Sequence, residues 1–300
     1  MSATVADSAS SVAAESASQP SARLGLVVEG GGYRALYAAG VLDVLLDLKL
    51  PVSGVIGVSA GAIHGISYAS GQKERSLRIY TRFCGDPRMF SFKTFLRTGT
   101  MVDNDFCYRK LPAELEPFDE EAFERSGIDF YAVSSNLETG QPEYLRMTNA
   151  FRDMDALIAS ASLPYVSKPV EYQGKKLLDG GCTDRVPLAA FERMGFARNI
   201  VVMTHPRDHR VKDRDAALAP LFYRRYPKFV EAFRASGDRY EATQRLIDAR
   251  EREGRVFVIR PAVPIPVGRL TRDLEDVRKA YDLGRRDALQ SAEALCRWAA

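Results

Sequence analysis

Gly57-Val-Ser-Ala-Gly61 sets a serine between glycines in a G-x-S-x-G pattern, after the apolar run Val55–Val58 and before Ala60, Ala62 and Ile63. A nucleophile on a sharp strand-to-helix turn has a strained backbone, and neighbours without side chains let the chain pass closely. The pattern alone is weak, since with Gly and Ser near 7% each chance supplies it in about one such chain in ten. Its position carries the argument. A serine at this junction stands at the carboxyl end of a sheet, with the positive end of the helix aimed at any negative charge developing there. Ser59 is therefore the candidate nucleophile, and Gly57 and Gly61 form its elbow. The plainer reading of Ser59 is a helix N-cap.

Two other glycine motifs end apolar runs. Leu24–Glu29 reads as a buried strand followed by Gly30, Gly31 and Gly32, whose N–H groups are unobstructed and can hold an oxyanion. Arg34 either stiffens that loop by bonding its carbonyls or is a solvated residue at a helix start. Gly30, Gly32 and Ala35 also satisfy a dinucleotide fingerprint. The acidic residue that fingerprint requires is missing, because the second strand ends in Val58-Ser59-Ala60-Gly61. In Leu177-Leu-Asp-Gly-Gly181, Asp179 can stand beside the same sheet end as the serine, or be a turn residue bonding its own backbone.

A serine nucleophile needs a proton acceptor, and the chain has three histidines. His64 lies five residues beyond Ser59 on the same expected helix, about 140° around its axis, so it points away. His205 and His209 follow the apolar run Asn199–Met203 and, with Asp179, give the order Ser, Asp, His of an α/β-hydrolase triad. Against that triad, the serine arrives after only two strands, and His205-Pro-Arg-Asp-His209 is a charged loop of the kind usually solvated. The favoured reading is a Ser59–Asp179 dyad in which a carboxylate partly withdrawn from water takes the serine proton directly.

The elements that must position these groups alternate. Val41, Val44, Leu45 and Leu48 give Arg34–Lys49 one apolar helical face, so the first two strands and this helix form a parallel βαβ unit. A helix to about Ser70 follows Ser59. Later strands are expected at Phe130–Ser134, Glu143–Met147, Val170–Leu178, Asn199–Met203 and Val256–Ile259, with a long helix from Thr271 to Trp298. The class is α/β, a mixed sheet between helical layers. Residues 1–23 are a Ser/Ala-rich tail expected to be disordered, and residues 24–300 read as one domain without a linker.

Composition excludes several classes. No apolar run approaches the roughly 18 residues of a spanning helix, and 42 Lys plus Arg against 39 Asp plus Glu gives no nucleic-acid footprint. Four cysteines without a CxxC pair favour reduced thiols and a cytoplasmic location. Asp103-Asn-Asp105 reads as helix capping rather than a calcium loop. Phe83, Phe90, Phe92 and Phe95 among Arg82, Arg88, Lys93 and Arg97, and the similar stretch Phe222–Phe229, suit core packing with snorkelling cations or contact with an anionic lipid surface.

A G-G-G-x-R loop, a G-x-S-x-G elbow and a distant D-G-G, in this order, resemble the patatin-like phospholipase family. The resemblance extends to Ala159-Ser-Ala-Ser-Leu-Pro164 and Asp184-Arg-Val-Pro187 and covers roughly residues 24–205. It implies a three-layer α/β/α sandwich with a mostly parallel mixed sheet, Ser59 as nucleophile, Asp179 as its catalytic partner, and Gly30, Gly31 and Gly32 with Arg34 as the oxyanion loop. It also implies no metal or other cofactor, and lipid acyl esters as substrates. Ala35 stands where many members have Gly. The alternatives are a triad esterase and a binding module with an idle serine, and peripheral contact with a membrane surface fits the substrate class.

Overall fold

The first expected unit forms as read. In the computed structural model, which describes residues 23–211, 213–268, 271 and 273–300, Leu24–Val28 (β1) and Val52–Val58 (β2) pair in parallel. The 3-10 turn Gly32–Ala35 and the helix Leu36–Leu48 (α1) join them. Apart from Arg23, the expected tail lies outside the described residues. Ala35 has an ordinary helical backbone (φ −68°), so the position accommodates a side chain.

Helices Ala60–Ala69 (α2), Arg75–Phe83 (α3), Phe92–Thr98 (α4) and Glu120–Arg125 (α5), with a π-helical segment at Phe106–Leu115, lead to Asp129–Asn136 (β3). Pro142–Met147 (β4) pairs with β3 as an antiparallel hairpin, and Met154–Ser160 (α6) follows. The expected strand Val170–Leu178 is instead two strands, Val170–Tyr172 (β5) and Lys175–Asp179 (β6). Gln173 and Gly174 between them both have positive φ (50° and 72°), the backbone of a tight hairpin turn whose twist matches paired strands.

Leu188–Arg193 (α7), Arg198–Val202 (β7), Ala219–Phe222 (α8), Pro227–Arg234 (α9), Ser236–Arg252 (α10), Val256–Ile259 (β8) and Leu274–Ala299 (α11) complete the chain. The last helix begins later than its pattern suggested because Asp273 accepts a capping bond from Glu275 N–H.

The sheet runs β5-β6-β3-β2-β1-β7-β8, with β4 also on β3. Strands β3, β2, β1, β7 and β8 are mutually parallel, and β4, β5 and β6 bring the antiparallel pairings. Alternation along a strand assigns the layers. Leu24, Leu26 and Val28 pack with residues of α1, α2, α6 and α11, whereas Val27 packs with Phe191 of α7 and Tyr240 and Ile247 of α10. The fold is a three-layer α/β/α sandwich around a mostly parallel mixed sheet. Among the described residues no helix is long and apolar enough to cross a membrane.

Candidate active site

Strand register brings Ser59 and Asp179 to one point. β2 pairs with β3 up to Val58 opposite Val133, and β6 pairs with β3 from the other direction, ending with Asp179 opposite Ser134. β4 occupies the other edge of β3 over the same residues, so β2 and β6 share one edge and abut end to end. One strand step, about 3.3 Å, separates the level of Val58 from that of Asp179. Ser59 is the next residue after Val58, and it and Asp179 line one cavity.

The last residue of α6 and the segment after it tie the two together. Ser59 N–H donates to Ser160 Oγ at 3.0 Å, and Asp179 N–H donates to Ser162 O at 2.8 Å. Ser135 Oγ donates to the Asp179 carbonyl at 2.8 Å, and Asp179 Oδ1 accepts from Gly181 N–H at 2.8 Å, fixing the carboxyl. These contacts give Ala159–Pro164 a structural reason that spacing alone did not supply.

Ser59 has φ 55° and ψ −129°, a backbone conformation that a side chain rarely adopts and that costs about 1–3 kcal/mol. A simple N-cap would have an extended backbone and a side-chain oxygen that accepts a bond from its helix; Ser59 has neither. The turn is held by close approach. A Cβ at Gly61 would lie 2.5 Å from Val28 O and 2.7 Å from Glu29 O, and one at Gly57 would lie 2.5 Å from Ala62 Cα. Gly61→Ala is accordingly expected to destabilise the protein by about 1–3 kcal/mol, as overpacking does, measured by the urea midpoint, and to displace the loop after β1.

That loop packs on the serine. A Cβ at Gly30 would sit 3.0 Å from Ser59 Cβ and 2.7 Å from Val58 O. Gly30 O accepts from Thr204 Oγ1 at 2.6 Å. Gly30, Gly31, Gly32 and Arg34 all line the cavity with Ser59.

Beneath the loop lies a buried carboxylate not singled out from the sequence. Glu29 accepts from Thr204 N at 2.6 Å, Thr204 Oγ1 at 3.2 Å, His205 Nδ1 at 2.9 Å and Tyr240 Oη at 3.0 Å. Burial pushes its pKa up, but the His205 charge and the bonds from His205, Thr204 and Tyr240 outweigh that and hold it below the ordinary range. His205 was expected on a solvated loop; instead it is held on Glu29 and lines the cavity. His209 stacks on His205 with ring centroids 3.9 Å apart, and burial first, then His205, lowers its pKa to about 4. His64 does not line the cavity; it is buried with its Nδ1 2.9 Å from Oγ of the lining residue Ser76, and burial lowers its pKa to about 3. Asp103 Oδ1 accepts from Phe106 N–H at 3.2 Å, the expected capping role.

The cavity, about 420 Å³, has a polar end at Ser59, Asp179, Arg185 and His205 and a wall of Ile63, Ile66, Ile79, Met89, Leu111 and Leu157. Ser59, Ile63 and Ile66 repeat along one face of α2, so the apolar wall extends about 10 Å from the serine. A chain of methylenes fits such a space, and a polar ester fits its mouth.

A family model described as Patatin-like phospholipase matches residues 26–192, and one described as a domain of unknown function, DUF6363, matches residues 226–300. Uncharacterized protein YjjU of Escherichia coli (strain K12) is 26% identical over 278 residues, 88% of this chain and 75% of that protein. Lysophospholipase NTE1 of Saccharomyces cerevisiae is 28% identical over 192 residues, 62% of this chain but 11% of its own length. Among solved structures, VipD from Legionella pneumophila aligns with a TM-score of 0.45 at 12% identity, covering 92% of this chain and 67% of that one. The first of these models spans more than half of the chain, including the end of β1, the serine elbow and Asp179, and the chain belongs to the patatin-like phospholipase family.

Proposed function

We propose that the protein hydrolyses lipid acyl esters through a Ser59–Asp179 dyad with an oxyanion loop at Gly30–Gly32. The observation that carries this reading is the meeting of β2 and β6 on one edge of β3, which brings a hydroxyl on a strained turn and a buried carboxylate into one cavity. Membership of a phospholipase family supports lipid acyl hydrolysis as the activity.

Asp179 takes the Ser59 proton as Oγ attacks the acyl carbonyl, and the glycine N–H groups hold the tetrahedral oxyanion. Collapse expels the alcohol, which receives the proton from Asp179 and leaves an acyl-serine. Water, deprotonated by the same carboxylate, then releases the fatty acid and restores the serine. Arg34, beside the loop, positions it. The acyl chain lies along the apolar face of α2, with the reaction at the polar end. Cytoplasmic residence is part of this proposal and rests on the cysteine pattern.

One observation favours a second reading: the Glu29–His205 pair orients an imidazole toward the same cavity, as a carboxylate orients the base of a triad. Replacing both histidines by asparagine decides between them, because asparagine retains a donor near the Nδ1 position. Under the dyad, turnover of a chromogenic medium-chain ester should stay within about tenfold of wild type. A loss in the range of a missing general base, about 10²–10⁴-fold, would favour the histidine.

A further inference from the structure

Two short helices turn apolar side chains to solvent beside the cavity. Phe92 and Leu96 of α4, and Leu218, Leu221 and Phe222 at α8, are between 54% and 72% exposed. Each set follows helical spacing, i and i+4 in α4 and i, i+3 and i+4 at α8, so each forms one outward face. The opposite sides are buried at Thr94 and Ala219. These helices therefore show water the faces that amphipathic helices normally bury.

A single strap links both to the cavity. Tyr165 lies against α8: its N–H donates to Tyr223 Oη at 2.8 Å, and its ring centroid is 5.2 Å from that of Phe222. One residue on, Val166 O accepts from Met101 N–H at 2.8 Å, just past the end of α4. Leu163, Pro164, Tyr165 and Val166 of this strap line the cavity, as do Phe90 and Val102 on either side of α4. The exposed faces thus flank one wall of the cavity.

Charge identifies the occupant. The stretches 88–99, 163–170 and 218–228 contain Arg88, Lys93, Arg97, Lys168, Arg224, Arg225 and Lys228 and no Asp or Glu. Arg88 and Arg97 are paired with Asp86 and Asp103, while Lys93, Lys168, Arg224, Arg225 and Lys228 are exposed around the apolar faces. Apolar side chains with a cationic rim match an anionic bilayer, which takes apolar groups below its headgroups and cations at them. We infer that α4 and α8 form a docking face that seats the protein on anionic membranes with the cavity turned toward the lipid. The inference rests on the acyl-hydrolase reading and extends it to the physical form of the substrate.

Vesicle flotation tests it. The full chain carrying Ser59→Ala, so that lipids stay intact, is mixed with vesicles of phosphatidylcholine alone or with added phosphatidylglycerol. Partition onto the anionic vesicles is expected to be at least about tenfold stronger, and Leu96→Glu, Leu221→Glu and Phe222→Glu together should lower it at least about tenfold. In the Ser59 protein the same three changes should leave hydrolysis of a water-soluble short-chain ester within about twofold, since none of these residues lines the cavity. Equal binding by the substituted and parent proteins overturns the inference, as does the absence of vesicle binding. So does a dimer lost on substitution while vesicle binding persists, which would make this face a contact between copies. Vesicle binding in a chain that hydrolyses no ester supports the docking face and counts against the hydrolase reading alone.

Discussion

Asp179→Asn is expected to lower acyl-ester turnover by about 10²–10⁴-fold, the usual contribution of a positioned base, with the fold unchanged. Asparagine has the shape of aspartate, its Oδ1 can still accept from Gly181 N–H, and the backbone bond to Ser162 does not involve the side chain. What is lost is the ability to take a proton. The substitution therefore separates a catalytic carboxylate from a turn aspartate: a turn residue would lose stability and retain rate. Circular dichroism and a urea midpoint near that of wild type, together with the lost rate, would identify the first case. A retained rate would assign the proton to another group, with His205 the first candidate.

The second large effect concerns Glu29. Its carboxylate accepts from four donors beneath the glycine loop. Glu29→Ala leaves Thr204 N–H, Tyr240 Oη and His205 Nδ1 without that acceptor, and each buried polar group left unsatisfied costs about 1–3 kcal/mol. Glu29→Gln keeps the size but not the charge, so its cost should be smaller, and both should slow turnover by loosening the loop. The pH dependence follows from the lowered pKa. A carboxyl with a folded pKa below its unfolded value of about 4.3 contributes stability that is present above that value and lost as pH falls through the folded one. Urea unfolding at pH 7 and below pH 4 should therefore show a smaller loss of stability on acidification in Glu29→Gln than in wild type. Equal acid losses would mean the pair contributes nothing.

Local pattern and long-range contact explain which features could be read in advance. The elbow was legible because Gly57, Ser59 and Gly61 are adjacent in sequence, and the strand and helix on either side have unambiguous periods. The parallel β1-α1-β2 unit was legible for the same reason. The β5–β6 hairpin was not, because Gln173-Gly174 is a weak turn signal within the stretch Val170–Leu178. The meeting of β2 and β6 depends on both pairing with the same edge of β3, which no local spacing encodes. Ser160 and Glu29 were missed likewise: their partners Ser59 and His205 lie 101 and 176 residues away. Their only sequence signals were a serine repeated before Leu163-Pro164 and an acid ending an apolar strand, both of which have commoner explanations. The aromatic and basic stretches divided, with Phe83 and Phe229 entering the core and Phe92 and Phe222 facing solvent. Helices as short as α4 and α8 bury one side only, and composition did not indicate which.

Treatment with a fluorophosphonate, followed by intact-mass measurement and peptide mapping, asks whether the elbow hydroxyl is chemically activated. The expected result is a single phosphonyl adduct, located on Ser59 and formed far more slowly in the Asp179→Asn protein. A chain that remains unlabelled, or that carries its label elsewhere, would contradict the assignment of Ser59 as the nucleophile.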